Sequence, residues 1–344
     1  MCSATVDRIV ELHPREDPTM SLTRREALAA GAALLGSTAL SIPSAFARQF
    51  PPHSPRQRAQ VGRGRWLSYS EYGDPDGPLV FYFHGIPGSR LEVRLIEQDA
   101  LQAGIRLVAV DRPGLGYSTY YGGRKVVDWP ADIVELAAIL GYADAPFGAL
   151  SMSGGSPYGT ACAYQIPDRL THLALVSGHT RLGAPGTSPG SEDKMIELVV
   201  RRPRLAKAGF NFVSRRLSRR PGPVIQKITK NWTADDRRLI LCNPITYNQL
   251  IANLRESVRC GTQGLITDIQ LLACPWGFPL NNISDVPVSI WHGKCDRIAP
   301  ISMGHYFQRH IAGSELTIDP SAGHVTTLKR HAAEILSRFH QLAA

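Results

Sequence analysis

Three residue types that together turn a hydroxyl into a nucleophile stand far apart in this chain: Ser153, Asp296 and His324. A serine hydroxyl attacks poorly at neutral pH unless an imidazole takes its proton, and the imidazole needs a carboxylate to fix its tautomer and support its charge. Ser153 is the centre of Ser151-Met152-Ser153-Gly154-Gly155. Small residues on both sides suit a sharp strand-to-helix turn that presents the serine oxygen above a sheet. The first small position, usually Gly in such turns, is Ser151 here. Ser151 and Ser156 are rival attacking groups, while Pro157 and Tyr158 favour Ser153.

Acyl transfer through such a serine also needs donors aimed at the negative oxygen of the tetrahedral intermediate. The Gly/Pro loop His84-Gly85-Ile86-Pro87-Gly88-Ser89-Arg90 follows an apolar run and is placed to supply one. The expected pair is the backbone N–H of Ile86 and that of Gly154, the residue after the nucleophile. This chemistry calls for no cofactor, and its partner is a small ester-like molecule. The six cysteines form no CxxC pair and no His spacing that would build a metal site. Cys242, Cys260 and Cys274 leave a disulfide and free thiols equally open.

The elements that must position these groups follow from apolar periodicity. Arg65 to Tyr72 alternates as a strand, and short buried strands are predicted at Leu79–Phe83, Arg106–Val110, just before Ser151, Leu170–Ser177, Pro287–Trp291 and Glu315–Ile318. Helical spacing fills the intervals at 91–103, 129–140, after the elbow, and at 302–312 and 326–342. Strands alternating with helices give an α/β class with a mostly parallel central sheet flanked by helices. Asp296 and His324 each follow a strand end. His84 and His292 close strands at Gly turns and read as structural, Asp111 as a turn-fixing acid, and Asp128 and Asp132 as helix-cap or surface charges. His179 stands near another strand end.

From 179 to 285 the rhythm changes to helical patches, which predicts a helical cap inserted into a core of 61–178 and 286–344. The formal charge of the chain is +9. Between Arg181 and Asp285 it holds 16 Lys and Arg against 8 Asp and Glu, so the excess belongs to the cap. Its Arg201-Arg202-Pro203-Arg204, Arg215-Arg216 and Arg219-Arg220 runs lack aromatic interleaving or a nucleic-acid module, so a solvated helical face is the plainer reading and nucleic acid is not expected. A second expectation is that these arginines favour substrates bearing a carboxylate.

Residues 1–47 end in Arg24-Arg25, an Ala/Leu/Gly run and Ala45-Phe46-Ala47, an order that resembles a twin-arginine export signal cut after Ala47. Translation from Met20 and a periplasmic or extracellular location are the corresponding expectations. The apolar run is too short and too rich in Ala and Gly for a stable membrane span. Residues 48–60, polar and Pro-rich, read as a linker.

Taken together, HGIPGSR at 84–90, DRPGLGYS at 111–118, SMSGGSPYG at 151–159, HGKCDRIAP at 292–300 and SAGH at 321–324 resemble the capped, serine esterase-like branch of the α/β-hydrolase superfamily. The resemblance covers roughly 65–342. It implies the α/β-hydrolase fold, a triad of Ser153, Asp296 and His324, and an oxyanion hole at Ile86 and Gly154. A serine nucleophile argues against the Asp-dependent dehalogenases and epoxide hydrolases of that superfamily, and Gly154 replaces the Trp common in proline iminopeptidases. Ester cleavage through an acyl-serine is the first expectation, with amide or lactone substrates next. C–C hydrolysis or perhydrolysis on the same triad, or a non-catalytic binding protein of this fold, are the alternatives.

Overall fold

The structure is a computed structural model and describes residues 56–62 and 64–341. The export signal read at 1–47 lies outside the described residues. The linker read at 48–60 is described only from residue 56, and there it ends in a strand, β1 (Gln57–Val61), which pairs antiparallel with β2 (Arg65–Gly73). Only Ala59 and Val61 of β1 are buried, so this polar edge strand carries little apolar signal.

Period-two alternation builds the sheet. In β3 (Leu79–Phe83), Leu79, Phe81 and Phe83 join one core cluster, while Val80 and Tyr82 join the other. The same division runs through β4 (Arg106–Val110), β5 (Phe147–Met152) and β6 (Leu170–Val176). β7 (Val288–Gly293) and β8 (Glu315–Asp319) complete eight strands in the order β1-β2-β4-β3-β5-β6-β7-β8. All pairings from β4 to β8 are parallel, and β2 meets β4 antiparallel. A sheet apolar on both sides must be covered on both. One face packs against α1 (Glu97–Gln102) and α11 (His324–Gln341), the other against α2 (Trp129–Ile139), α3 (Ser156–Gln165) and α10 (Ile301–His310).

β3 is followed by β4 on one side and then by β5 on the other, so strand order reverses between β3 and β5. Such a reversal opens a crevice at the carboxyl ends of the strands.

Between β6 and β7 lies the helical insertion: α4 (Asp193–Arg201), α5 (Pro203–Arg219), α6 (Pro221–Ile228), α7 (Ala234–Leu241), α8 (Pro244–Ser257) and α9 (Gln263–Ala273). Ile196, Val199, Leu265, Ile266, Ile269 and Leu272, from α4 and α9, extend the main core. Leu217, Val224, Ile225, Ile251 and Leu254 form a separate small core inside the cap.

Candidate active site

Ser153 follows directly on β5 and adopts φ 51°, in the left-handed region that a non-glycine residue rarely occupies. Strain of this kind persists only where the surroundings over-determine it. Here the Ser153 carbonyl accepts from Ser156 Oγ at 2.8 Å and from the His179 N–H at 3.2 Å. Gly155 is required by close approach, because a Cβ there would stand 2.1 Å from the Phe83 carbonyl oxygen.

The loop after β7 carries Asp296, and the turn after β8 leads into α11, whose first residue is His324. Asp296 Oδ1 accepts from the N–H groups of Ile298 and Ala299 at 2.8 and 3.0 Å, which leaves Oδ2 to accept from His324 Nδ1 at 2.7 Å. That bond fixes the proton on Nδ1 and leaves Nε2 of the neutral ring able to accept one. Burial alone would lower the His324 pKa, but Asp296, with Asp236 and Glu192 adding to it, brings it above the ordinary value. Burial opposes ionisation of Asp296, and His324 outweighs it, so its carboxyl stays below the usual range.

The 84–90 loop is held from several sides. Gly85 N–H donates to Glu92 Oε1 at 2.7 Å, and Arg112 donates to the carbonyls of His84 and Gly85 at 2.5 and 3.0 Å. The Ile86 N–H finds no acceptor among the described residues. Its side chain lies against Gly154, where a Cβ would meet Ile86 Cγ1 at 2.8 Å. Gly154 is the second residue of a 3₁₀ turn, whose opening N–H groups have no partner within the turn. Gly154 thus follows Ser153 directly, and the Ile86 side chain packs on it.

These parts open on one cleft. Ser153, His324, Ile86 and Met152 form its floor, and Trp232, Ile240, Leu250 and Leu254 of the cap form its roof. Glu92 and Glu192 also line it, and no Lys or Arg does. Burial raises the pKa of both glutamates. Glu92 is satisfied by Tyr82 Oη and Gly85 N–H, whereas the Glu192 carboxylate has neither a hydrogen bond nor an ion pair among the described residues. A second, smaller recess continues from Ser153 past Gly154, His179 and Glu192 to Ile269 and Leu272.

A family model described as "Alpha/beta hydrolase family" matches residues 79–337, which take in the elbow, the 84–90 loop, Asp296 and His324. The chain belongs to the alpha/beta hydrolase family. It is similar to "Uncharacterized hydrolase YcgS" of Bacillus subtilis, 23% identical over 289 residues that cover 79% of this chain and 92% of that one. Among solved structures it resembles a thermophilic esterase from Thermogutta terrifontis, with a TM-score of 0.61 and 19% identity over 84% of this chain and 98% of the other. A bromoperoxidase from Bacillus anthracis gives a TM-score of 0.64 at 18% identity, covering 83% of this chain and 99% of that one.

In this alpha/beta hydrolase the rival serines are not in the cleft. Ser151 is fully buried in β5 between Phe83 and Leu175, its Oγ unpaired and packed where a Cβ on Gly159 would come within 2.1 Å. Ser156 spends its hydroxyl on the elbow carbonyl. His84 and His292 bond the carbonyls of Gly85 and Ala299 at 2.8 and 2.7 Å, and burial lowers the pKa of both. Asp111 accepts from Ser68 Oγ and from the Arg90 N–H, pinning the 84–90 loop to β2. Asp128 Oδ2 accepts from the Lys125 N–H, and Asp132 pairs with Arg65. The arginines of the cap runs are exposed, and none of them lines the cleft. Cys260 and Cys274 are free thiols.

Sequence reasoning missed the cap residues that reach back to these loops. Asp236 of α7 accepts from the N–H groups of His324, Val325 and Thr326 at 2.8, 3.0 and 2.8 Å, capping α11 from outside the helix. Asn253 Oδ1 of α8 accepts from Ser89 N–H and Oγ, both at 2.8 Å, and Glu256 pairs with Arg90. Asp268 of α9 pairs with Arg112 and Arg124 and accepts from Tyr158 Oη at 2.8 Å. The Asp236, Asn253 and Glu256 tethers end on the 84–90 loop or the His324 helix, and the Asp268 tether reaches that loop through Arg112, which holds the His84 and Gly85 carbonyls.

Proposed function

We propose that this alpha/beta hydrolase is a serine esterase that cleaves a carboxylic ester through an acyl-serine intermediate, with lactones and amides as the neighbouring acyl substrates. One observation carries the proposal: Ser153 at its strained elbow opens on the same cleft as His324, whose far nitrogen is held by Asp296 at 2.7 Å. Ser153 Oγ attacks the ester carbonyl as His324 Nε2 takes its proton. The N–H groups of Ile86 and Gly154 receive the oxyanion, and the imidazolium, steadied by Asp296, returns the proton to the departing alcohol. Water then repeats the cycle on the acyl-serine and frees the acid.

The roof is mostly apolar, with Thr246 and Gln249 among its polar members, and the charged residues facing the cleft are Glu92, Glu192 and His324. Two carboxylates without a balancing Lys or Arg repel a third, so neutral or ammonium-bearing acyl groups are preferred over carboxylate-bearing ones.

Labelling with a fluorophosphonate probe tests the nucleophile. Wild type and Ser151→Ala are expected to label and Ser153→Ala is not. The last variant also loses roughly 10⁴- to 10⁶-fold in kcat on p-nitrophenyl esters. A Ser153→Ala protein that still labels at the wild-type rate overturns the assignment. Comparing neutral, ammonium and carboxylate esters of matched length then reads the selectivity of the cleft.

A further inference from the structure

The longest helix of the cap buries few of its side chains. Of the 17 residues of α5 only Ala206 and Leu217 are buried. Leu205 and Phe212 are 63% and 54% exposed, and Val213 is exposed beside them. Positions 205, 209, 212 and 216 share one helix face, because residues three, four and seven apart line up along a helix. Gly209 stands in open space on that face. Large apolar side chains gathered on a solvent face mark an interaction site rather than ordinary surface.

The charge around them is of one sign. From Leu198 to Ala234 the chain carries ten Lys and Arg and not one Asp or Glu. Arg204, Arg215, Arg216 and Arg219 of α5 are all exposed, and the Arg216 guanidinium lies 5.5 Å from the centre of the Phe212 ring. No helix among the described residues is long and apolar enough to cross a membrane, so a lipid partner would be met at its surface.

We propose that α5 docks the protein on an anionic phospholipid surface. Leu205, Phe212 and Val213 enter the boundary between head groups and acyl chains, and the arginines meet the phosphates. A nucleic acid would satisfy the arginines but offer the exposed Leu and Phe no apolar layer. A second copy of the chain would cover those side chains while setting two acid-free arginine arrays against each other. An anionic bilayer answers both halves of the face at once.

Co-sedimentation with vesicles decides the matter. The protein is expected to bind phosphatidylcholine vesicles that contain phosphatidylglycerol, to ignore phosphatidylcholine alone, and to be released by salt. Arg215→Gln with Arg216→Gln should lower partitioning by about 30-fold, at about fivefold for each cation near the surface. Leu205→Ser with Phe212→Ser should lower it as well, and Phe212→Trp should shift its emission to the blue only with the anionic vesicles. These side chains are exposed, so the variants keep the fold, which circular dichroism checks. Three results would each overturn the proposal. One is no binding to anionic vesicles. Another is binding that ignores the Leu205 and Phe212 changes and is competed equally by duplex DNA. The third is a dimer, seen by sedimentation, that the same two changes dissolve.

Discussion

The two halves of the cap are joined to the core by different physics. The half made by α4 and α9 merges its apolar side chains with the main core, whereas the half made by α6, α7 and α8 closes over a small core of its own. That second half supplies most of the roof of the cleft, including Trp232, Ile240, Gln249 and Leu250. It is placed on the floor by directional bonds instead, from Asp236 to the start of α11, from Asn253 to Ser89 and from Glu256 to Arg90. Hydrophobic burial has no direction, while a hydrogen bond fixes distance and angle. The fused half thus secures the fold, and the tethered half sets where the roof and the His324 helix stand relative to each other.

The sharpest way to break this distinction is to cut one polar link in each half. Asp268→Ala in the fused half strands Arg112 and Arg124 without their carboxylate in a dry interior. Removing one partner of a buried ion pair costs roughly 3–5 kcal/mol, so the midpoint of chemical denaturation should fall steeply. Burial opposes the charge of Asp268, but the two arginines outweigh it and hold its pKa at about 2. Its stabilising contribution is therefore complete above the ordinary carboxylate pKa and is lost as pH falls through about 2. In the tethered half, Asp236→Ala removes a helix cap, worth about 1–2 kcal/mol, and frees the N-terminus that carries His324. Its larger effect should appear in kcat, with KM moving less. Equal loss of stability in both variants, with kcat untouched in Asp236→Ala, would erase the difference between the halves.

The floor was legible because its signals are local. Leu79–Phe83 and Arg106–Val110 are apolar runs between turn residues, and the structure returns both with the same ends. Asp296 and His324 could be placed because each follows such a strand closely. β1 escaped notice because Gln57, Arg58 and Gln60 hide a period that only Ala59 and Val61 carry. The tethers escaped because their partners lie 88 to 166 residues away, as in Asp236 to His324 and Glu256 to Arg90. Asp236 is instructive. Thr233-Ala234-Asp235-Asp236 reads as a local capping box, and Thr233 Oγ1 does accept from the Asp236 N–H at 3.1 Å. The carboxylate, however, turns away from its own helix to cap another. Nothing in its neighbours could announce that choice, since it depends on where α11 begins in space.

The smallest expected effect is also the most selective. In the proposed reaction His324 acts as base only when neutral, so kcat/KM should fall as pH drops through its pKa, and that limb should lie above the ordinary histidine value because Asp296, Asp236 and Glu192 favour the charged ring. The acids facing the ring from packed elements are these three and Glu92, with His179 and His292 opposing them across the site. Asp236→Asn keeps an oxygen at the start of α11 while removing the charge. The acid limb should therefore move to lower pH while stability falls less than in Asp236→Ala, because only one of the two accepting oxygens is replaced, by an amide NH2. An unmoved limb in Asp236→Asn, measured on a neutral ester whose own charge does not titrate, would mean that the cap supports α11 by shape alone and that its carboxylate leaves the proton balance of His324 untouched.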